Sequence, residues 1–314
     1  MLIQFLDAHS ALTLSSRPLL EGKRHYTERY LWDLYNMFGS SPREFHRYTS
    51  NPVAYEDLVI DQIKTIEPDD LRYVSYNPKS THCRIFTVWP SPTNRDMFEK
   101  RIVSRFTFEL LWDHLLKYRI SDIQHFYYRF QKSPTMAACA GWIFEHRVHQ
   151  LLRRQPEIQL VPVVQDKLGS DDCIYKDYQW ENPMDLWLPG SAERPFNEVG
   201  RFRENRYCHF DSPGADSILL VYPPDGLPQI LLIFVVTYST ETHDVSEDIL
   251  RKIDSYRLPP DARRYYVVVT PRGNWPKIQV PKAYFGGEGR MKLPDEELRV
   301  FNYPVGDHVL FPDN

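Results

Sequence analysis

The sequence lacks the features that mark disulfide-stabilised, zinc-binding and membrane-spanning proteins. Its four cysteines are far apart and form no CxxC pair, so neither a disulfide framework nor a cysteine-based zinc site is expected. No apolar run approaches the roughly 18 residues of a membrane span. The opening MLIQFLDAHSALTLSS has no basic region of the kind that begins a signal peptide. These absences predict an intracellular protein, cytoplasmic or nuclear, with no membrane partner.

The sequence also has no excess of positive charge and no phosphate-binding loop motif. The 38 Lys and Arg residues are outnumbered by 42 Asp and Glu, which gives a net charge of −4, so the protein as a whole would not attract nucleic acid. Binding of DNA or RNA would have to use local patches. No GxxxxGK[ST] motif is present, so no nucleotide partner is expected. The basic candidates for a phosphate track are Arg201, Arg203, Arg206, His209, Arg251, Lys252, Arg263 and Arg264.

The composition that remains is that of a globular protein with two differently patterned regions. A chain of 314 residues with 42% hydrophobic content is long enough for two domains. Residues 1–130 are predicted to be mostly helical with one strand. Tyr26, Tyr30, Leu34 and Met37 recur at helical spacing, HCRIFTVWP predicts the strand, and RIVSRFTFELLWDHLLKYR predicts an amphipathic helix.

Residues 131–314 are predicted to form an α/β domain. MAACAGWIFEHRVHQLLRR indicates a helix of about five turns. DSILLVY and ILLIFVVTY are short β-branched runs bounded by Pro and Gly, and they predict a hairpin of two buried strands. VSEDILRKIDSYRL predicts another helix, and RRYYVVVTP another strand. The order of helix, strands, hairpin, helix and strand is typical of an α/β sandwich.

Glu145 is the first acidic residue whose position suggests chemistry. At about 100° per residue, it lies at the margin of a predicted buried face, with His149 one turn further on. A carboxylate at that margin either makes a boundary salt bridge or points into a cleft where the helix meets the sheet. The predicted buried face consists of Ala137, Ala140, Phe144, Val148 and Leu151, flanked by Gly141 and Leu152.

Two more polar residues flank the predicted hairpin. Asp216 opens its first strand, where an aspartate either forms a turn or presents oxygen ligands to a cation. Together with Glu145 it would supply the hard oxygen ligands that metal-assisted phosphodiester cleavage requires. His243 follows the second strand, and Asp244 or Ser246 can cap the helix predicted after it, so the histidine has no evident local structural role.

Several stretches of the chain, taken in order, resemble a known family. AGWIFEHRVHQLL, PGADSILLVY and LLIFVVTYSTETHDV resemble the C-terminal nuclease module of the Crinkler and retrotransposon-hot-spot effectors of eukaryotes, which belongs to the restriction-endonuclease-like, PD-(D/E)XK, superfamily. This resemblance covers roughly residues 131–285. FGSSPREFHRYTSNP and HCRIFTVWP are similar to the region that follows the P-loop ATPase core in such proteins. Residues 1–130 would then be an ATPase tail, with Arg43 at its arginine position.

The resemblance implies a mixed sheet flanked by helices and a Mg²⁺-dependent site that cleaves DNA. Glu145 would be the acid on the helix, and Asp216 would be the aspartate that holds the metal. The carbonyl of Val236 would add a ligand. Thr237 or His243 would orient water or phosphate.

The chain departs from the family pattern on the second hairpin strand. Val235 stands where Gln or Glu is expected, and Thr237 stands where the superfamily usually has Lys. Valine cannot ligate a cation, and threonine brings no positive charge to the transition state, so cleavage would be slowed by orders of magnitude. Three functions stay open: a nuclease with a degenerate site, an inactive nuclease fold that binds a host protein or nucleic acid, and an interaction protein without nuclease ancestry.

Overall fold

A computed structural model shows how these segments fold. It describes residues 27–39, 41–67, 71, 84–90, 98–133, 136–154, 157–165, 173–181, 183–187, 192–193, 206–212, 215–221, 230–238, 240, 243–245, 262–280 and 299–312. The helix predicted from VSEDILRKIDSYRL lies outside the described residues except for Val245, and so does Tyr26.

The chain divides into two compact units, Met1–Trp142 and Ile143–Asn314. The described part of the first unit consists of helices and one pair of strands. Its elements are α1 (Glu28–Phe38), α2 (Pro42–Tyr48), α3 (Pro52–Lys64), β1 (Phe86–Pro90), β2 (Phe98–Ile102), α4 (Arg105–Leu115) and α5 (Ile120–Gln131).

Side-chain caps and an aromatic core explain why these helices form where they do. The side chains of Thr27, Ser41 and Ser104 each accept a hydrogen bond from a backbone N–H in the first turn of α1, α2 and α4, which satisfies donors that would otherwise lack a helical partner. Phe38 and Tyr55 are fully buried and meet edge to face, with ring centroids 4.7 Å apart. Such a contact joins α1 to α3 and anchors the core of the unit.

Strand β2 is the element of the first unit that the sequence pattern misses. The amphipathic helix was predicted to begin near Arg101, but Arg101 lies in β2, antiparallel to β1 and paired with Thr87, and the helix begins at Arg105. The charged run Glu99–Arg101 has little intrinsic preference for a strand. Pairing with β1 and the cap at Ser104 override the local pattern.

The second unit is a mixed α/β structure with helices against a mixed sheet. One long helix, α6 (Ala137–Arg154), begins in the first unit and ends in the second. The strands are β3 (Glu157–Gln165), β4 (Cys173–Tyr178), β5 (Met184–Trp187), β6 (Ala192–Glu193), β7 (Arg206–Ser212), β8 (Ala215–Val221), β9 (Ile230–Val236), β10 (His243–Asp244), β11 (Arg263–Pro271), β12 (Ile278–Val280) and β13 (Arg299–Val305), and they are followed by α7 (Asp307–Leu310).

The sheet is mixed because the parallel strands β9, β11 and β13 at its centre have antiparallel pairs on both sides. Its strand order is β10-β12-β4-β3-β13-β11-β9-β8-β7-β6, with β5 pairing off this path with β3. The predicted hairpin is confirmed, since β8 and β9 pair antiparallel with Ser217 opposite Phe234. Strand β11 runs parallel to both β9 and β13. Both faces of such central strands are covered, which accounts for the continuous apolar runs in β9 and β11.

The helix α6 buries a face slightly different from the predicted one. Ala140, Phe144 and Val148 are buried as predicted, but Ala137 and Leu151 are only half-buried. Ile143, His149 and Leu152 are buried in addition. At about 100° per residue, Ile143 lies on one side of the predicted stripe and His149 on the other, so the buried surface is wider than predicted and includes the margin beside Glu145.

Candidate functional site

Asp216 lies beside the end of β9, where the resemblance places a metal site. Its Oδ2 atom accepts a hydrogen bond from the backbone N–H of Val236 at 2.5 Å, and its side chain is half-buried. A carboxylate that accepts a backbone N–H bond is held in one orientation. The structure thus brings two of the predicted site residues, Asp216 and Val236, into direct contact. The observed contact uses the Val236 N–H, whereas the predicted ligand was its carbonyl.

Strand register places Asp216 in a row of residues that crosses the sheet on one face. The pairing of Ser217 with Phe234 puts Asp216 beside Val235, and Val235 pairs with Val268 of β11. The row continues through Asn302 of β13 to Val161 of β3. Directly paired residues point to the same side of a sheet, so this face carries a half-buried acid at one end and buried polar and apolar groups beyond it.

Tyr266 is a neighbour of Asp216 that sequence reasoning did not identify. It is fully buried on β11 and pairs with Ile233. Burial, and then the charge of the Asp216 carboxylate, raise the pKa of Tyr266 well above its ordinary value, because both disfavour a tyrosinate. Both tyrosines of RRYYVVVTP are buried, and the sequence alone does not show which of them is near Asp216.

The edge of β9 itself carries no acid. Val235 is only 4% exposed. A buried apolar side chain therefore occupies the position where the resemblance would require a Gln or Glu. Thr237 is half-buried, and its backbone N–H donates to the carbonyl of Val269 at 2.9 Å, which extends the pairing with β11. The backbone of Thr237 therefore has a structural role in addition to the role predicted for its side chain.

Glu145 is close to His149 on the same helix. Its Oε1 atom lies 3.9 Å from Nε2 of His149, and the two side chains are 14% and 4% exposed. The preceding residue, Phe144, contacts Tyr238 just past β9, with ring centroids 6.2 Å apart. Helix α6 is thus tied to the end of the strand on which Val236 lies. The contact between the Glu145 carboxylate and His149 corresponds to the boundary salt bridge that was one of the two predicted roles of this residue.

His243 lies in a short strand, β10, whereas the sequence placed it between the second hairpin strand and a predicted helix. The backbone of His243 pairs with Ile278 in the parallel β10–β12 ladder, and Val245 donates to the carbonyl of Gln279 at 2.8 Å. The side chain of His243 is outside the described atoms.

The predicted phosphate track is described only in part. Arg201, Arg203, Arg251 and Lys252 lie outside the described residues, and Arg206 and His209 are described in their backbone only. Arg263 is exposed and Arg264 is half-buried.

The residues at this site fit a divalent ion only in part. Asp216 offers a carboxylate, the type of oxygen donor that Mg²⁺ prefers, but Val235 offers no side-chain oxygen. In the portions of the chain that the structure describes, no three His, Cys, Asp or Glu side chains are arranged so that they could hold a metal ion.

A second concave region was also missed by sequence reasoning. A cavity of about 1010 Å³ opens near the ends of β3 and β13 and the turn after β11. Its lining includes Trp180 and Trp275, which are 47% and 37% exposed. The available signal was a tryptophan in each of two short connections, Trp180 between β4 and β5 and Trp275 between β11 and β12.

Comparisons with known proteins add no relative. Neither the protein-family models, the curated proteins nor the solved structures give a significant match to the chain. Among the described helices, none combines the length and the apolar character that crossing a bilayer requires.

Proposed function

We propose that residues 131–314 form a restriction-endonuclease-like domain of the Crinkler and retrotransposon-hot-spot type that binds nucleic acid without cleaving it. The observation that carries this proposal is the burial of Val235. A side chain that is 4% exposed and apolar stands at the position of the second acid, so the site lacks an oxygen that metal-assisted hydrolysis uses.

The position of Asp216 supports a nuclease origin. The resemblance requires an aspartate on one strand directly beside the strand that carries the other site residues. Asp216 on β8 accepts a hydrogen bond from the N–H of Val236 on β9, so the aspartate is directly beside the strand that carries Val235 and Val236. The helix α6, with Glu145 beside the Phe144–Tyr238 contact, meets the same end of β9. The scaffold is thus consistent with a nuclease fold whose catalytic edge has become apolar.

A second candidate function is slow Mg²⁺-dependent cleavage of DNA, favoured by the fixed carboxylate of Asp216. In this case Asp216 and Glu145 would hold the ion through their carboxylate oxygens, and Thr237 would orient water. Mg²⁺ would polarise the phosphate and activate water. The substitution Asp216→Asn separates the two candidates, because an amide oxygen still accepts the Val236 N–H but carries no charge for a cation.

The test combines a binding and a cleavage assay on the full chain. We expect labelled DNA to bind with an affinity that falls steeply with salt, and plasmid incubated with Mg²⁺ or Mn²⁺ to stay uncut. We expect Asp216→Asn to keep the wild-type thermal stability, whereas Asp216→Ala, which leaves the Val236 N–H without its acceptor, should lose about 1–3 kcal/mol.

Two outcomes would change the conclusion. Nicking by the wild type that disappears in Asp216→Asn would establish the second candidate. Absence of both cleavage and salt-dependent binding would overturn the nucleic-acid proposal and favour recognition of a host protein.

A further inference from the structure

The cavity near the ends of β3 and β13 has the size and composition of a ligand site. Its volume of about 1010 Å³ is at the upper end of the roughly 300–1,000 Å³ that is usual for such sites. It is remote from Asp216: Val161, which lines the cavity, and Asp216 are at opposite ends of the five-strand row, about 19 Å apart at the usual strand spacing. The side chains that matter below are Glu157, Trp180, Arg272, Trp275, Tyr303 and His308.

Two tryptophans form a corner of this cleft. The ring centroids of Trp180 and Trp275 are 4.3 Å apart, with planes inclined by 74°. Two large aromatic rings exposed to solvent at one place are uncommon on a folded domain and indicate a binding surface. The faces of indole rings are suited to stacking against another flat ring.

The corner is held rigid by contacts around it. The ring of Tyr178 stacks on Trp180 at 5.9 Å and contacts Trp275 at 5.5 Å, and its hydroxyl donates to the carbonyl of Pro276 at 2.5 Å. Burial raises the pKa of Tyr178 to about 12, so this donor keeps its proton at physiological pH. Asn274, next to Trp275, donates from Nδ2 to the carbonyl of Tyr238 at 3.0 Å. A platform that is ordered before binding loses little entropy when a ligand arrives.

Two basic residues with hydrogen-bond donors line the cleft together with the tryptophans. Arg272 precedes Trp275 by three residues in the same turn, and its backbone N–H donates to the carbonyl of Val305 at 3.0 Å. His308 is a second basic side chain, and it lies against Gly306, where an added Cβ would meet the imidazole at 2.9 Å. Both are exposed and line the cleft with a single acid, Glu157. With histidine counted as neutral, Arg272 and Glu157 balance each other, so the cleft offers an anion the local hydrogen-bond donors of Arg272 and His308 and no excess of positive charge.

We propose that this cleft binds a segment of single-stranded nucleic acid, with a base stacked on the Trp180–Trp275 corner and its phosphate next to Arg272 and His308. The inference rests on the proposed nucleic-acid-binding function and names its strand type and site. Stacking on aromatic side chains beside basic groups is the general means by which proteins hold single strands. A methylated ammonium group would also suit two aromatic walls, but Arg272 would repel it. A neutral sugar would leave both basic groups unused.

The test measures binding of a labelled short oligothymidylate to the full chain by fluorescence anisotropy. Trp180→Ala and Trp275→Ala should each raise Kd by about 5- to 150-fold, the effect of losing one stacked base. Arg272→Gln should weaken binding less and reduce the slope of log K against log salt by about 0.7. An abasic oligonucleotide of the same length, which has the phosphates but no bases to stack, should bind to the wild type as weakly as the oligothymidylate binds to the tryptophan variants.

Trp32→Ala is the matched control, because Trp32 is 48% exposed on α1 and belongs to the first unit. It should leave binding unchanged. If an alanine variant unfolds, two other variants still test the proposal. Trp275→Phe keeps an aromatic face and should keep most of the affinity. Arg272→Gln is at an exposed position, so the protein should stay folded and the contribution of the charge can still be measured.

Several results would overturn the proposal. Unchanged oligothymidylate affinity in the tryptophan variants and in Arg272→Gln would show that the cleft is not the site, even if the chain binds DNA elsewhere, in which case the proposed function survives. Binding of the oligothymidylate that does not depend on salt would show that Arg272 and His308 hold no phosphate, which also contradicts the proposal. Free thymidine monophosphate that competes as strongly as the oligonucleotide would identify a nucleotide site in place of a strand site.

Discussion

At the scale of single residues, the clearest constraint is Gly39 at the end of α1. Its backbone has φ 60 and ψ −148, a combination that is essentially restricted to glycine. A Cβ at this position would also overlap the carbonyl oxygen of Val103. Gly39→Ala should therefore lower the free energy of unfolding by about 2–4 kcal/mol, the sum of backbone strain and a displaced carbonyl, as measured by thermal or urea unfolding.

Gly273 provides the matched comparison. It has φ +100, but an added Cβ would meet nothing within 4 Å, so Gly273→Ala should cost only the backbone strain of about 1–2 kcal/mol. An equal loss of stability in the two variants would show that the contact with Val103 contributes nothing at Gly39.

The residues of the candidate site show what a single sequence can and cannot reveal. Asp216 stood out because it is an acid at the start of a buried strand, where it could form a turn or hold a cation. Tyr266 could not be linked to it, because their proximity depends on the parallel pairing of β11 with β9, which joins segments far apart in the chain. The same limit applies to the cleft, where Trp180 and Trp275 are brought together by separate turns.

At the scale of secondary-structure elements, Arg147 connects α6 to the C-terminal helix α7. Its Nε and Nη2 atoms donate to the carbonyl of Leu310 at 3.0 and 2.7 Å, and its guanidinium lies 5.7 Å from the ring centre of Phe311. Arg147→Ala should cost about 1–3 kcal/mol, because hydrogen bonds from a charged donor are stronger than neutral ones. Faster hydrogen exchange at the amides of Leu310 and Phe311 would locate the effect.

Arg154 supplies the control for that experiment, since it lies at the exposed end of the same helix. Arg154→Ala should change stability by less than about 0.5 kcal/mol and leave exchange at Leu310 unaltered. Comparable exchange in the two variants would mean that Arg147 does not hold the C-terminal segment in place.

Elements with a strong local signal could be predicted from the sequence, and elements that depend on distant pairing could not. The strands β8, β9 and β11 contain continuous apolar runs, and α6 has five turns of helical periodicity. β2 carries a charged run and exists through its pairing with β1. β13 enters the sheet between β11 and β3, so its two neighbours come from segments that precede it by tens of residues, which a local pattern does not encode.

At the scale of the whole molecule, the division into two units falls inside α6. The sequence predicted a boundary between residues 130 and 131, where the helical region ends, whereas the compact units meet after Trp142. The first turns of α6 contribute to the first unit: Trp142 contacts Phe108 with ring centroids 5.1 Å apart, and Cys139 is buried, with the pKa of its thiol raised to about 12 by burial.

This division predicts different behaviour for two N-terminal fragments. A fragment of residues 1–130 would expose the face of Phe108 that Trp142 covers, and would lose the apolar burial supplied by Cys139 and Ala140. A fragment of residues 1–154 keeps all of α6. Buried aromatic contacts of this kind contribute several kcal/mol, so the longer fragment should unfold cooperatively at a higher temperature, as followed by circular dichroism. Trp142→Ala in the longer fragment should remove much of that difference, while equal melting of the two fragments would place the structural boundary at residue 130.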